Sequence, residues 1–320
     1  MVQMILIGIG AGAASALLFA SVASGALIAV LLFYLAPLPI LIAALGWSHW
    51  AALIAAVAAS IGLATVFGSF FLLAFLVGIG LPAWWVGYLA LLARPANLPT
   101  PDGLEWYPVG HLVVWAALVG ALIVITAMLS VGTDEESFRA SLRNGLERMF
   151  RLRDRPGVPT PPVREPNRLI EFLVLALQPA AAVLTTITNM LNLWLAARVV
   201  AVSGRLRRPM PLLSTMRFPA YAPLLLAIAM ALSFLPGMIG IGGGVLAAAL
   251  LMAFAILGFA VLHAITRGIS SRLLVLGAIY AAVIIFGWPM LAIALFGLAD
   301  TAFDIRGRVA RRRGPPANPT

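Results

Sequence analysis

The first charged residue of this chain is Arg94. The 93 residues before it contain no Asp, Glu, Lys or Arg, and His49 is the only side chain among them able to take a proton near neutral pH. A water-facing surface cannot be built from such a stretch. A lipid-facing surface requires one, because each charge at the centre of a spanning helix costs about 2.5–3.5 kcal/mol on the insertion scale. The remainder extends the bias: 10% of the 320 residues are charged, where a soluble domain has about 25%, and the mean hydropathy is +1.06. These features predict an all-α fold, a polytopic transmembrane helical bundle.

All 21 positive residues are Arg, and the formal net charge is +10. The arginines lie between or beyond apolar runs, where positive charge fixes orientation in a bilayer. Membrane lipid is therefore the expected partner, and nucleic acid is not. Cysteine is absent, which excludes disulfides, thiolate metal sites and cysteine nucleophiles. Three scattered histidines make no metal site, and no cofactor motif is present. The first apolar run lacks the positive n-region of a cleavable signal, so it is expected to remain as a first span.

Apolar runs at 4–22, 26–46, 50–67, 69–93, 109–131, 169–197, 217–235, 240–262 and 272–299 predict eight or nine spans. Pro37 and Pro39 interrupt the second run, and each removes a backbone donor that neighbouring helices must replace. The organisation expected is N-terminal spans over 1–131, an extramembrane segment over 132–168, C-terminal spans over 169–305, and a basic tail without fixed structure over 306–320. In the middle segment, Thr133 with Glu136 reads as a capping box. Phe138, Leu142, Leu146, Met149 and Phe150 then form one apolar face of a helix, suited to the membrane interface or to joining two halves of a bundle. The proline-rich stretch 155–162 should be extended.

Arginine counts place both 139–168 and the tail on the cytoplasmic side, and the loop at 94–108 outside. Arg198, Arg205, Arg207, Arg208 and Arg217 would then also face outward if 169–197 crosses once. The alternative is doubling back at Gln178-Pro179 and at Gly287-Trp288-Pro289. Single crossings are preferred, because the arms of such hairpins would be short.

Two patterns could carry function. Gly8, Gly12, Ala16, Ala20 and Ser24 recur every four residues, a stripe that lets another helix approach closely, either within the bundle or from a partner. Gln178, Thr185, Asn189 and Asn192, spaced seven, four and three apart, share a helical face with Thr186 and Thr188 nearby. Such groups must point into the bundle, either bonding between helices or lining a ligand cavity. Amides can bind without charge but cannot act as a general base. Pro236-Gly237 and Gly240–Gly244 read as an inter-span turn or a broken-helix element. His263, Arg267 and Arg272 either simply end a span or meet an anionic headgroup or substrate there, and Asp300 and Asp304 should pair locally near Arg308. Trp84, Trp85, Tyr88, Trp106, Tyr107 and Trp115 look like an interfacial belt. No acid–base pair or nucleophile set stands out, so no catalytic residue is assigned and an enzyme is not expected.

Asn189, Asn192, Trp194 and Arg198, followed by Ser203-Gly204-Arg205-Leu206, resemble a segment of the YybS-like family of bacterial multi-pass membrane proteins, particularly its alphaproteobacterial members. That family is distantly similar to the substrate-binding subunits of energy-coupling-factor transporters. The resemblance implies a bacterial inner membrane protein that binds a small molecule within the bundle. It also implies partners, a transmembrane coupling protein and separate ATPase subunits, docked through Gly8, Gly12, Ala16 and Ala20. Asn189 and Asn192 would line the ligand site. The competing expectation is a non-enzymatic scaffold or envelope-assembly factor that recruits partners through 132–168 and the basic tail.

Overall fold

Helices account for nearly all regular structure in the computed structural model, which describes residues 1–96, 103–153 and 166–313. The stretch 155–162 and the end of the tail lie outside the described residues. In chain order the helices are α1 (Val2–Ala20), α2 (Leu27–Tyr34), α3 (Pro37–Gly46), α4 (His49–Phe67), α5 (Ser69–Phe75), α6 (Leu81–Ala90), α7 (Val109–Val131), α8 (Glu135–Arg153), α9 (Pro166–Val202), α10 (Ala222–Ser233), α11 (Gly237–Ile265), α12 (Arg272–Phe286), α13 (Pro289–Phe303) and α14 (Ile305–Arg313). A short antiparallel ribbon joins β1 (Ala93–Pro95) to β2 (Leu104–Trp106). Seven segments are long and apolar enough to cross a membrane, and α10, α12 and α13 are shorter apolar helices.

Two helix pairs act as single spans with internal breaks. Pro37 and Pro39 separate α2 from α3, and a π-helical turn at Leu76–Gly80 joins α5 to α6. At the first break the Leu38 amide turns to the Leu35 carbonyl instead of reaching Tyr34. The Tyr34 carbonyl is thereby left without its helical donor.

The contacts sort the connections onto two poles. At one, called the α8 pole, Glu135 accepts from the Gly237 amide at 2.9 Å, and Arg143 meets Glu171. Leu146 of α8 is buried with Ile170 and Val174 of α9. At the other, the tail pole, Arg205 stacks over Trp47 and Arg208 donates to the carbonyls of Ala90 and Tyr107. Gly110 packs on the Arg217 carbonyl, and Arg306 donates to the Ser214 carbonyl. Among the described residues the chain passes eight times between these poles: α1, α2–α3, α4, α5–α6, α7, α9, α10 and α11. Seven of these passages are long and apolar enough to cross a membrane, one fewer than the lower expected count, and the eighth, α10, has only 12 helical residues.

The last apolar run departs from expectation. Arg272 at the start of α12 lies beside His263 at the end of α11, and Arg306, just beyond α13 and paired with Asp300 near its end, donates to the Ser214 carbonyl. Both ends of the α12–α13 unit are therefore at the tail pole. The run 272–299 does not cross once but turns back at Gly287, whose φ of 72° only glycine adopts readily. Each arm has 15 residues, about 22 Å of helix against a hydrocarbon core of about 30 Å. Short arms argued against a hairpin in the sequence. They are tolerated because α13 packs closely on α11, with Gly258 against Ile293 and Gly297 against Phe254.

This hairpin also corrects the sidedness. The 139–153 helix and the tail were both expected to be cytoplasmic, yet they occupy opposite poles. The ribbon around 94–106, expected on the far side from the tail, shares its pole. The arginines at 198–217 need no special explanation, because they sit with the tail. The tail itself begins as a helix, α14, set off by Asp304 in a left-handed conformation and tied back through Asp300–Arg306 and Asp304–Arg311. Asp304 also meets Arg217, so the acids pair with arginines other than the expected Arg308.

Two buried clusters fill the interior, one among α7, α9, α10, α11 and α13 and one among α3 to α6 with the end of α9. Helix α8 lies on protein. Phe138 and Leu146 are buried beneath it, and Met149 of the expected apolar face is exposed. Its cap is Asp134, one residue later than expected: the carboxylate accepts from the Ser137 amide at 2.8 Å and from the Ser137 hydroxyl at 2.6 Å. These bonds hold the Asp134 carboxyl below its ordinary pKa.

Candidate functional site

Helix α9 carries the polar residues singled out by sequence. Its buried face runs through Gln178, Ala182, Thr186, Asn189, Asn192, Ala196 and Val200. Thr186 takes the buried position expected for Thr185, which is half-buried and bonds its own helix at the Ala181 carbonyl. Gln178 and Asn192 are 14 residues apart on one helix, about 21 Å along its axis. The face is real, but its members do not converge on one cavity.

Asn192 has a structural partner. Its Nδ2 donates at 2.8 Å to Tyr34 O, the carbonyl stranded at the α2–α3 break, and at 2.8 Å to Thr188 O. The side chain therefore satisfies a backbone group that has no water to turn to. Asn189 is buried between the two clusters, and its Nδ2 has no hydrogen-bond partner.

Gln178 faces something different. It lines a cleft of about 260 Å³ at the α8 pole, together with Glu135 and Arg139 of α8, Leu175 and Pro179 of α9, and the Ser233–Gly244 region. This brings together two features far apart in sequence, the α9 amide and the glycine-rich stretch. Pro236-Gly237 makes the expected turn between α10 and α11, with Gly237 at a φ of 76°, but the Gly240–Gly244 part is neither a turn nor an unwound element. Gly240 and Gly243 are helical in α11 and lie so close to Leu235 and Ser233 of the preceding turn that a β-carbon at either would collide.

Several polar groups of the cleft lack partners. Gln178 Nε2 and Arg139 Nε are buried donors without acceptors. Pro179 inside α9 withdraws the amide that would serve the Leu175 carbonyl. Glu135 is engaged by the Gly237 amide and by Arg139 at 2.8 Å, which also places a carboxylate on the N-terminus of α11, where the helix dipole favours it. The cleft can thus donate to and accept from a small solute. It contains no free base positioned to move a proton. Among the described residues no three His, Cys, Asp or Glu side chains come together as a metal site.

The small-residue stripe is used inside the chain. Gly8 lies against Ala51 and Ile54, and Gly12 against Ala55 and Ala58, so closely that a β-carbon at Gly12 would sit 2.6 Å from the Ala55 carbonyl oxygen. Ala16 and Ala20 pack on the same cluster. The stripe therefore grips α4 and is not free for a partner, because at that separation only α4 fits. The expected aromatic belt gathers at the tail pole, packed on itself: Trp85 is edge-on to Trp115, whose Nε1 donates to the Tyr107 hydroxyl at 3.1 Å.

A further residue, Arg208, escaped the sequence reading. It lines an almost wholly apolar slot with Leu45, Ala90, Leu112, Leu193, Trp194 and Ala197. Its only sequence signal was its place in an arginine-rich loop. No family model, curated protein or solved structure matches this chain.

Proposed function

We propose that this membrane protein binds a small polar solute in the cleft between α8, α9 and the start of α11, in a role connected with transport. The observation that carries the reading is the pair of buried, unpartnered donors, Gln178 Nε2 and Arg139 Nε, lining one cleft. Unsatisfied buried donors cost about 1–3 kcal/mol each, and a ligand with acceptor oxygens would recover that cost. Pro179 adds support, since it removes one rung of the α9 hydrogen-bond ladder within the cleft and leaves the Leu175 carbonyl able to accept there. On this reading, any coupling protein engages a surface other than the Gly8–Ala20 stripe.

We further infer that the tail pole faces the cytoplasm. It holds thirteen arginines against six at the α8 pole among the described residues, and the two in the sequence beyond them cannot reverse that order. The scaffold reading is less favoured, because α8 buries Phe138 and Leu146 of its apolar face against the bundle and α14 is tied to the bundle.

The test is a thermal-stability screen of purified protein in detergent against acceptor-rich polar solutes. A hit should stabilise the native chain and fail to stabilise Gln178→Leu, while the unliganded variant keeps its melting point. A Gln178→Leu chain that loses stability without ligand would instead mark Gln178 as bundle support.

A further inference from the structure

The slot containing Arg208 lies at the opposite pole from the proposed solute cleft and has different chemistry. It encloses about 70 Å³ between the start of α7, the last turns of α9 and the 206–213 loop. Every side chain lining it is apolar except Arg208 and the indole of Trp194. Leu45, Ala90, Leu112 and Leu193 form its buried floor, while Trp194 and Leu213 stand about half exposed at its open side.

Arg208 sits there half-buried, its guanidinium held by two backbone carbonyls, Ala90 O at 3.2 Å and Tyr107 O at 2.8 Å. Among the described residues no carboxylate reaches it. The three acids described at this pole are already committed: Glu105 to Arg94, Asp300 to Arg306, and Asp304 to Arg217 and Arg311. Burial alone holds the Arg208 pKa below its ordinary value. An arginine at ordinary loop positions would turn to water, as its neighbours Arg205 and Arg207 largely do. This one is braced in place, with three of its five N–H groups still free to donate.

We propose that the slot is a binding site for an anionic phospholipid, with the phosphate on Arg208 and the first segment of an acyl chain along Leu112, Leu193 and Trp194. The charge selects an anion, the apolar walls select a chain, and the open side at Trp194 faces the surroundings of the bundle. Arg205 and Arg207 add to the attraction felt by a headgroup at this pole, since each basic residue near a membrane surface contributes. The same chemistry would admit a fatty acid carboxylate. A phospholipid is the occupant argued for, because a guanidinium with three unused donors matches a phosphate bearing several oxygens.

The test uses full-length protein reconstituted in phosphatidylcholine vesicles, doped with brominated-chain phosphatidylglycerol or brominated-chain phosphatidylcholine. The signal is the fluorescence quenched in the native chain and absent from Trp194→Phe. Phosphatidylglycerol should quench Trp194 with roughly tenfold preference over phosphatidylcholine, the scale of a charge-assisted hydrogen bond. Arg208→Gln should reduce that preference to near parity, and Arg208→Lys, which keeps the charge but has fewer donors, should retain only part of it. Equal quenching by both lipids in the native chain overturns the proposal, as does a preference that survives Arg208→Gln. Displacement of phosphatidylglycerol by equimolar oleate overturns the phospholipid assignment in favour of a fatty acid. Should Arg208→Gln not fold, Ala197→Leu fills the slot and leaves Arg208 in place. Trp194-specific quenching should then fall for both lipids, and undiminished quenching refutes the site.

Discussion

Replacing Asn192 by Leu tests the most specific tertiary bond in the bundle. Asn192 Nδ2 reaches Tyr34 O across 158 positions of sequence, and that carbonyl needs a donor because the Pro37–Pro39 break has pulled the Leu38 amide away. Leucine has the same branched shape and no donor but is bulkier, and it also removes the buried, unpartnered Asn192 Oδ1, so the hydrogen bond must be separated from packing by a control. Two estimates bracket the cost. Interhelical hydrogen bonds in a membrane protein average about 0.6 kcal/mol and reach about 1.7. A buried carbonyl left unsatisfied costs about 1–3 kcal/mol. Asn192 is 1% exposed, so water cannot substitute, and the expected loss is about 1–2 kcal/mol. Equilibrium unfolding in mixed micelles measures it. A double-mutant cycle adds the decisive control. In a Pro37→Ala/Pro39→Ala background the helix can close and the Leu38 amide can return to Tyr34 O, so Asn192→Leu should cost far less. If it costs the same in both backgrounds, the asparagine is not serving the broken helix and the reasoning fails.

Two further outcomes follow from the packing and the path of the chain. Gly12→Val should destabilise the purified chain alone by several kcal/mol or prevent its accumulation, because the β-carbon meets the Ala55 backbone at 2.6 Å and backbone cannot yield as a flexible side chain can; normal unfolding of the variant would reopen the stripe as a docking surface. Since the native chain has no cysteine, single-cysteine variants report sidedness cleanly. Gly204→Cys should react only from the cytoplasmic face and Gly145→Cys only from the opposite face, and labelling of both from one side would refute the two-pole arrangement.

The parts of the fold legible in sequence were those decided by local chemistry. Helix α7 occupies 109–131 as expected, because Pro108 precedes it and Gly132 with Asp134 follows, so both boundaries are written beside the apolar run. The α9 polar face was legible as buried, because helical periodicity fixes angle around the axis. Which group meets which partner was not legible, since that depends on height along the axis and on distant elements. Asn192 answers to a break more than 150 positions earlier, and Gln178 to the start of α8 and α11. Gly240 and Gly243 read as a turn for the same reason: their role is to admit the Leu232–Leu235 backbone, and close approach and chain reversal both select glycine. The Arg208 slot draws walls from five separated segments, and no local pattern marks it.

The error in sidedness has a single source, and it shows how one residue governs a global property. Between Arg168 and the tail the chain has three full crossings, α9, α10 and α11, followed by the α12–α13 unit. Had that unit crossed once, the crossings would be four, and the middle segment and the tail would share a side. Because it turns back at Gly287, the number stays at three and the two segments separate. The sequence offered both parities, since a largely apolar run of 28 residues makes one long span or two short arms. Length favoured the span; the conformation at Gly287 and the α11 surface, where Gly258 and Gly297 let α13 lie close, favour the arms. The consequence reaches the functional reading. It gathers Arg205, Arg207, Arg208 and the tail at one pole, where the proposed lipid slot lies, and leaves the proposed solute cleft at the other.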